Sequence, residues 1–154
     1  MTLPEILRAH NFTSGLTEAH IDTLASIASE VSFDENELIL VDGERSQNFF
    51  LVITGSVTIE LRTLAYSVTV QSLGPGQAFG WSSLLDDQDT LFQVRAREST
   101  TALRLDGARL KSICQQESAL GATILRRTLA LVAGRVKATE LRFAEMCGVK
   151  VAGT

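Results

Sequence analysis

Histidine, cysteine and proline are scarce in this sequence, with two of each among its 154 residues. Cys114 and Cys147 lie far apart and show no CxxC or Cys/His spacing, which argues against a zinc site or an iron–sulfur cluster. We therefore predict two free thiols. His10 and His20 both precede the β-rich part of the chain, so a β-barrel metalloenzyme would lack the clustered histidines that it needs. The sequence predicts a protein that is not an enzyme.

The sequence also lacks a secretory signal, a membrane-spanning stretch and an excess of positive charge. The start, MTLPEILRAHNF, has no basic end followed by a long apolar run, and no apolar stretch approaches membrane-spanning length. The net charge of −4 repels phosphodiester backbones. We therefore expect a cytoplasmic protein that binds neither membranes nor DNA.

What the sequence does contain is enough apolar material for one core. Hydrophobic residues make up 45% of the chain, which suits a single domain over residues 1–154. Residues 1–30 predict helices, a short one from Pro4 to about His10 and a second one capped by Thr17. The apolar positions of the second helix recur at helical spacing and are Leu16, Ile21, Leu24 and Ile27.

The chain changes character over residues 31–106. Short runs of β-branched and aromatic residues alternate there with charged or Gly-containing turns, and this pattern predicts a β-sandwich or β-roll. Within one predicted strand, apolar residues alternate with polar ones, which predicts one buried face and one solvated face. The apolar set is Val57, Ile59 and Leu61, and the polar set is Thr58, Glu60 and Arg62.

Residues 107–147 predict two helices, the first capped by Asp106 and the second running from about Glu117 to Met146. A helix as long as the second cannot pack along its whole length on a domain of this size, so we expect part of it to pack against a second copy and form a homodimer. Its basic residues are expected on a solvated or interface face. They are Arg126, Arg127, Arg135, Lys137 and Arg142.

Four motifs follow one another in a characteristic order: VDGERSQNFFLVITGSVTI, LGPGQAFG, QVRA and AGRVKATE. With the long terminal helix, they make nearly the whole chain similar to the cyclic-nucleotide-binding domain of the Crp/Fnr regulators. The resemblance implies a mainly β fold, an eight-stranded β-roll of jelly-roll type with short N-terminal helices, and a long helix that dimerises and covers the pocket. It also implies a helix-turn-helix domain, but only CGVKVAGT follows Met146, so we expect a one-domain protein or a fragment that reads no DNA.

The resemblance places a phosphate cassette at Phe79, Gly80, Trp81, Ser82, Ser83, Thr90 and Leu91. In the family, the N–H groups of a short helix and an arginine bind the cyclic phosphate, and a glutamate accepts from the ribose hydroxyl. Here Trp81 stands at the glutamate position and Thr90 at the arginine position. Losing such a charged contact costs about 2 to 5 kcal/mol, so we expect weak binding of cyclic AMP or cyclic GMP. Thr139 matches a hydroxyl on the long helix that reaches the purine base.

Several side chains have more than one interpretation. Trp81 either fills the core or stacks on a ligand. Arg95 either lies on a solvated outer face or reaches into the cavity and replaces the missing arginine, and Phe49 and Phe50 are expected to be wall and core residues. The remaining donors, which are the helix start and the hydroxyls of Ser82, Ser83 and Thr90, could still bind an anion.

Two functions agree with these observations. The first is a small regulatory module that binds a cyclic nucleotide weakly, or another small anionic ligand, and signals through the long helix to a possible protein partner. The second is a structural or protein-interaction dimer whose pocket is plugged and binds no ligand. The residues alone do not decide between the two: Gly80, Ser82 and Ser83 favour a surviving anion site, whereas Trp81 and Thr90 favour its loss. The interpretation adopted is the first, a sensor module of Crp/Fnr type.

Overall fold

The structure, a computed structural model, describes residues 1–86 and 92–150. Within these ranges eight strands form two four-stranded antiparallel sheets, with two helices before them and two after them. This is the mainly β, roll-like fold that the sequence predicts. The helices are α1 (Leu3–Ala9), α2 (Glu18–Ala25), α3 (Gly107–Gln116) and α4 (Ser118–Met146). The strands are β1 (Ala28–Phe33), β2 (Leu38–Leu40), β3 (Asn48–Thr54), β4 (Val57–Arg62), β5 (Ser67–Leu73), β6 (Ala78–Phe79), β7 (Phe92–Ala96) and β8 (Thr100–Asp106).

The helices begin where the local chemistry predicts. The Thr17 hydroxyl accepts a hydrogen bond from the N–H of His20 at 3.2 Å, and the Asp106 carboxylate accepts one from the N–H of Arg109 at 2.9 Å. Both side chains therefore satisfy an N–H group that the first helical turn leaves without a partner. The predicted caps of α2 and α3 are confirmed. Strand β1 begins at Ala28, earlier than residue 31, where the sequence analysis placed the start of the roll.

Two apolar cores lie on the two sides of the sheet β1-β8-β3-β6. The first fills the space between this sheet and the sheet β2-β7-β4-β5, and there the ring of Phe50 stacks on that of Phe79 with centroids 4.8 Å apart. The second joins the other face to the helices and contains Phe49. Because successive strand residues point to opposite faces, Phe49 and Phe50 enter different cores. Both are core residues, as predicted.

The outer face of β4 does not follow the expected alternation. Thr58 and Glu60 are both buried, and Glu60 is only 2% exposed. The Glu60 carboxylate accepts hydrogen bonds of 2.8 Å each from Thr58, Gln93 and Arg97. Burial alone would raise the pKa of Glu60, but these bonds, the charge of Arg97 and a hydrogen bond from Arg95 lower it below its usual value. The prediction of a solvated face is wrong here because long polar side chains of β7 and of Arg97, the residue after it, cover this face.

Helix α4 has 29 residues and is therefore about 43 Å long. Leu120, Gly121 and Ile124 in its first half are buried against α3 and the second core. A Cβ atom at Gly121 would overlap the carbonyl oxygen of Cys114, so only glycine allows the two helices to approach this closely. The predicted long helix is confirmed. None of the helices within residues 1–86 and 92–150 is long and apolar enough to cross a membrane.

One side of α4 carries a stripe of mainly apolar side chains, which we call the seam. Its members are spaced alternately four and three residues apart, which is the spacing of a coiled-coil interface. Leu129 is 66% exposed and Phe143 is 69% exposed, so the single chain does not bury this stripe. The seam consists of Leu125, Leu129, Val132, Val136, Thr139, Phe143 and Met146.

Candidate functional site

The predicted cassette begins where β6 leaves the sheet. Phe79 is fully buried, and Gly80 has a φ angle of 84°, in the left-handed region that favours glycine. A Cβ atom at Gly80 would lie 2.5 Å from the carbonyl oxygen of Asn48, so a larger residue would also collide with β3. The chain then forms a single 3₁₀ turn over Trp81–Leu84, which we call the cassette turn. Gly80 is thus required by the backbone at the entrance to the site.

The two serines of the cassette turn differ in their surroundings. The Ser83 hydroxyl donates to the carbonyl oxygen of Gly80 at 2.7 Å. A Cβ atom at Gly107 would lie 2.7 Å from the Cβ of Ser83, so this side chain faces the start of α3. Ser82 is half-buried. Because the proton of the Ser83 hydroxyl is already donated, the binding role predicted for Ser83 would use only its lone pairs.

Trp81 lies beneath helix α4. Its indole is half-buried and packs against the second core, and the guanidinium carbon of Arg135 lies 5.7 Å from its ring centroid. The same guanidinium carbon is 5.3 Å from the ring centroid of Phe92, and the Arg135 Nε donates to the Gln71 Oε1 at 3.0 Å. Trp81 is therefore a partly buried residue that packs against the core, and its stacking on a ligand remains a prediction. Arg135, which was expected on a solvated or interface face, instead points toward the roll of its own chain.

The position of Arg135 alters its electrostatics. Burial lowers the pKa of its guanidinium to about 10, because the aromatic surroundings solvate the charged form less well than water does. Arg127 is not solvated either, since its Nη1 donates to the carbonyl oxygen of Phe12 at 2.6 Å. Arg142 pairs with Glu145 at 3.0 Å. The basic residues of α4 thus divide between the body of the protein and its surface.

Of the remaining predicted ligand residues, Thr139 is half-buried one turn after Arg135. Its hydroxyl donates to the carbonyl oxygen of Arg135 at 2.8 Å, so it can still accept a hydrogen bond from a ligand. Thr90 and Leu91 lie outside the described residues. The cassette contacts of all these residues remain predictions.

Arg95 does not enter the roll. By the strand register it shares a face with Thr58, and its side chain pairs with Glu60 at 3.4 Å and donates to the carbonyl oxygen of Asn36 at 2.8 Å. Ile59 and Val94 point from the opposite face into the core between the sheets. The interpretation in which Arg95 replaces the missing arginine is therefore wrong.

The site has one basic side chain that the sequence analysis did not select, Arg135. The motif AGRVKATE contains it, but helix periodicity alone did not show which face meets the roll. Over residues 1–86 and 92–150 there is no group of His, Cys, Asp and Glu side chains that could hold a metal ion. Where α4 meets the cassette turn, the structure brings together the Arg135 cation, the rings of Trp81 and Phe92 and, one helical turn after Arg135, the hydroxyl of Thr139. The guanidinium is the group of this set whose charge and paired donors suit a small anion.

Comparison with known proteins gives one family. A sequence model of the cyclic nucleotide-binding domain matches residues 30–117. The cAMP-dependent protein kinase regulatory subunit of Dictyostelium discoideum is 28% identical over 104 residues, which cover 62% of this chain and 32% of that protein. This chain therefore spans about a third of the length of that relative.

Solved structures share the fold. A structure from Geobacter metallireducens, described as a cyclic nucleotide-binding protein, has a TM-score of 0.78 and 29% identity and covers 88% of this chain and 99% of its own. The catabolite activator protein of Thermus thermophilus has a TM-score of 0.70 and 24% identity, with 89% of this chain and 63% of its own covered. The predicted cyclic-nucleotide-binding domain and the predicted β-roll are confirmed, and the likeness to the catabolite activator protein is one of fold.

Proposed function

The chain belongs to the cyclic nucleotide-binding domain family, and we propose that it is a regulatory, non-enzymatic module that senses a small anionic ligand. The ligand is a cyclic nucleotide, bound weakly, or another small anion at the cassette turn. The observation that carries this proposal is the contact between α4 and that turn, where Arg135 lies over Trp81. One contact joins the proposed ligand site to the long helix. A ligand bound there therefore changes the stability of α4 in contact with the cassette turn relative to α4 displaced from it.

The cassette residues support weak rather than tight binding of cyclic nucleotides. The indole of Trp81 can donate a hydrogen bond but has no acceptor for a ribose hydroxyl. The family's arginine position carries Thr90, an uncharged residue. The loss of about 2 to 5 kcal/mol that follows from a missing charged contact corresponds to between ~30-fold and a few thousandfold in affinity.

The seam supports a homodimer. Exposed apolar side chains at alternating four- and three-residue spacing are the pattern that one helix buries against a second copy of itself. In the proposed module, this interface joins the sensing unit of one chain to that of its partner. A cytoplasmic location and a further protein partner remain predictions from the sequence and from the regulatory relatives.

A second candidate is an interaction dimer that binds no ligand. It is favoured by the filling of the roll, where the rings of Phe50 and Phe79 stack and aliphatic side chains surround them. In that case only the surface of α4 is functional.

Titration with cyclic AMP and cyclic GMP tests the proposal. Trp81 is the single tryptophan of the chain, so its fluorescence can be followed beside the heat of binding. We expect saturable binding at least ~30-fold weaker than that of a family member that retains the glutamate and the arginine, titrated in parallel. No heat and no fluorescence change with either nucleotide would contradict the cyclic-nucleotide proposal and favour the interaction dimer.

A further inference from the structure

Arg135 differs from Arg95 and Arg97 in what balances its charge. Arg95 and Arg97 share the carboxylate of Glu60, at 3.4 and 2.8 Å. No carboxylate in the described part of the chain pairs with Arg135, whose hydrogen-bond partner is the neutral amide of Gln71. Among residues 1–86 and 92–150, the half-buried cation therefore has no opposite charge as a partner.

The aromatic neighbours compensate this charge only in part. A cation over an aromatic ring gains about 0.5 to 2 kcal/mol, less than a buried cation gains from a hydrogen-bonded anion. A guanidinium also has five N–H donors, and the hydrogen bond to Gln71 uses one of them. Within the described part of the chain, the guanidinium therefore keeps its charge and further N–H donors, and it lies over Trp81 of the cassette turn.

We infer that Arg135 supplies the positive charge for the anionic group of the ligand, in place of an arginine in the cassette. The inference rests on the proposed function and adds the chemical class of the ligand, a small phosphate ester that carries one negative charge. An arginine can bind two oxygens of such a group through parallel N–H donors. The Trp81 and Phe92 rings on which it now lies hold it in position for that contact.

Because the charge of Arg135 lies on α4, ligand binding would act on the position of this helix directly. A cassette arginine would hold an anion within the roll alone, whereas Arg135 belongs to α4. An anion bound to Arg135 therefore stabilises the position of α4 that closes on the cassette turn. Ligand binding and helix position are then linked through one side chain.

Three variants test the inference, with cyclic AMP, its uncharged analogue adenosine and inorganic phosphate as probes. Arg135→Gln removes the charge, Arg135→Lys keeps it without the paired donors, and Arg126→Gln is the matched control on an exposed position of the same helix. We expect Arg135→Gln to weaken cyclic AMP at least about tenfold, Arg135→Lys to weaken it less, and the control to stay within about twofold of the original chain. The affinity for adenosine should not change with Arg135→Gln.

Circular dichroism of each variant checks that α4 is retained. Equal affinity of Arg135→Gln and the original chain for cyclic AMP would overturn the inference and leave the proposed function standing. Binding of inorganic phosphate alone, lost in Arg135→Gln, would support the inference and reject cyclic nucleotides as the ligand. Failure of the original chain to bind cyclic AMP, cyclic GMP or phosphate at millimolar concentration would overturn the inference together with the sensing function.

Discussion

The two halves of α4 are held against the molecule by different forces. In the first half, the side chains of Leu120 and Ile124 are almost completely buried, and Arg127 is hydrogen-bonded to a backbone carbonyl of the N-terminal segment. In the second half, Arg135 makes one hydrogen bond to Gln71 and lies on two aromatic rings.

We call the first half fixed and the second half adjustable, because we expect the second half, which also lies beside Thr69 and Val70 of β5, to be held less firmly. Burial of one Leu or Ile side chain contributes about 1.5 to 3 kcal/mol, and several such side chains act together in the first half. A neutral hydrogen bond contributes about 0.5 to 1.5 kcal/mol, and a partly exposed cation–aromatic contact is of similar size. In the proposed sensing function, a ligand would therefore alter the position of the second half without unfolding the first.

Replacing glycines in the two halves should give the largest contrast. Gly121→Ala places a methyl group against the Cys114 carbonyl oxygen, and we expect it to lower the free energy of unfolding by about 1 to 3 kcal/mol. Gly134→Ala is the matched control, because nothing lies within 4 Å of a Cβ atom there. It should raise the free energy of unfolding by about 0.5 to 1 kcal/mol, since alanine favours the helix.

Urea unfolding measures both effects. If Gly121→Ala were as stable as the original chain, α3 would be free to move away from α4, and the first half would not be fixed. Destabilisation by Gly134→Ala would show instead that the second half has a close neighbour, such as a second copy.

The seam offers the next contrast. Phe143→Glu places a charge in the proposed dimer interface, whereas Lys137→Glu places the same side chain on an exposed position outside the seam. We expect Phe143→Glu to weaken association at least about tenfold and Lys137→Glu to leave the dimer intact. Light scattering coupled to gel filtration gives the molar mass of each variant and so distinguishes dimer from monomer. A monomeric original chain at micromolar concentration would contradict the seam as a dimer interface.

The predictable parts of the fold are those with local causes. The caps at Thr17 and Asp106 bind N–H groups three residues later in the chain, and the length of α4 follows from an unbroken helical pattern. The order of glycine turns and apolar runs was enough to identify the roll. These features need no knowledge of distant contacts.

The errors concern side chains whose partners are distant in sequence. Glu60 was expected on a solvated face because alternation reports only polar character, but its donors Gln93 and Arg97 come from β7 and from the residue that follows it. Arg135 was expected, with the other basic residues of α4, on a solvated or interface face. Its contact with Trp81 depends on how the helix lies across the roll, which helical periodicity does not specify.

The smallest predicted effect on stability comes from His10, which acts on the fixed half of α4 through the N-terminal segment. Its Nε2 lies 3.0 Å from the carbonyl oxygen of Val52, and its Nδ1 accepts from the N–H of Phe12 at 3.1 Å. These two bonds require a neutral ring that carries its proton on Nε2. They order the segment whose Phe12 carbonyl receives Arg127, so protonation of His10 should loosen the first half of α4.

The pH dependence follows from the direction of the pKa shift. Burial lowers the pKa of His10 below 6.5, although bonds to backbone groups of Val52 and Gln77 oppose this. The folded state therefore binds the proton less well than the unfolded state. The contribution of His10 to the free energy of unfolding is therefore fully present above pH 6.5 and declines as the pH falls below that value.

Urea midpoints at pH 8, 7, 6 and 5.5 should fall with acid in the original chain and less steeply in His10→Gln. His20→Gln controls for the other histidine and should keep the full decline. If His10→Gln lost as much stability in acid as the original chain, carboxylates would be the cause and His10 would not report on the fixed half. Binding through Arg135 should stay constant over this range, because a guanidinium with a pKa of about 10 remains charged throughout.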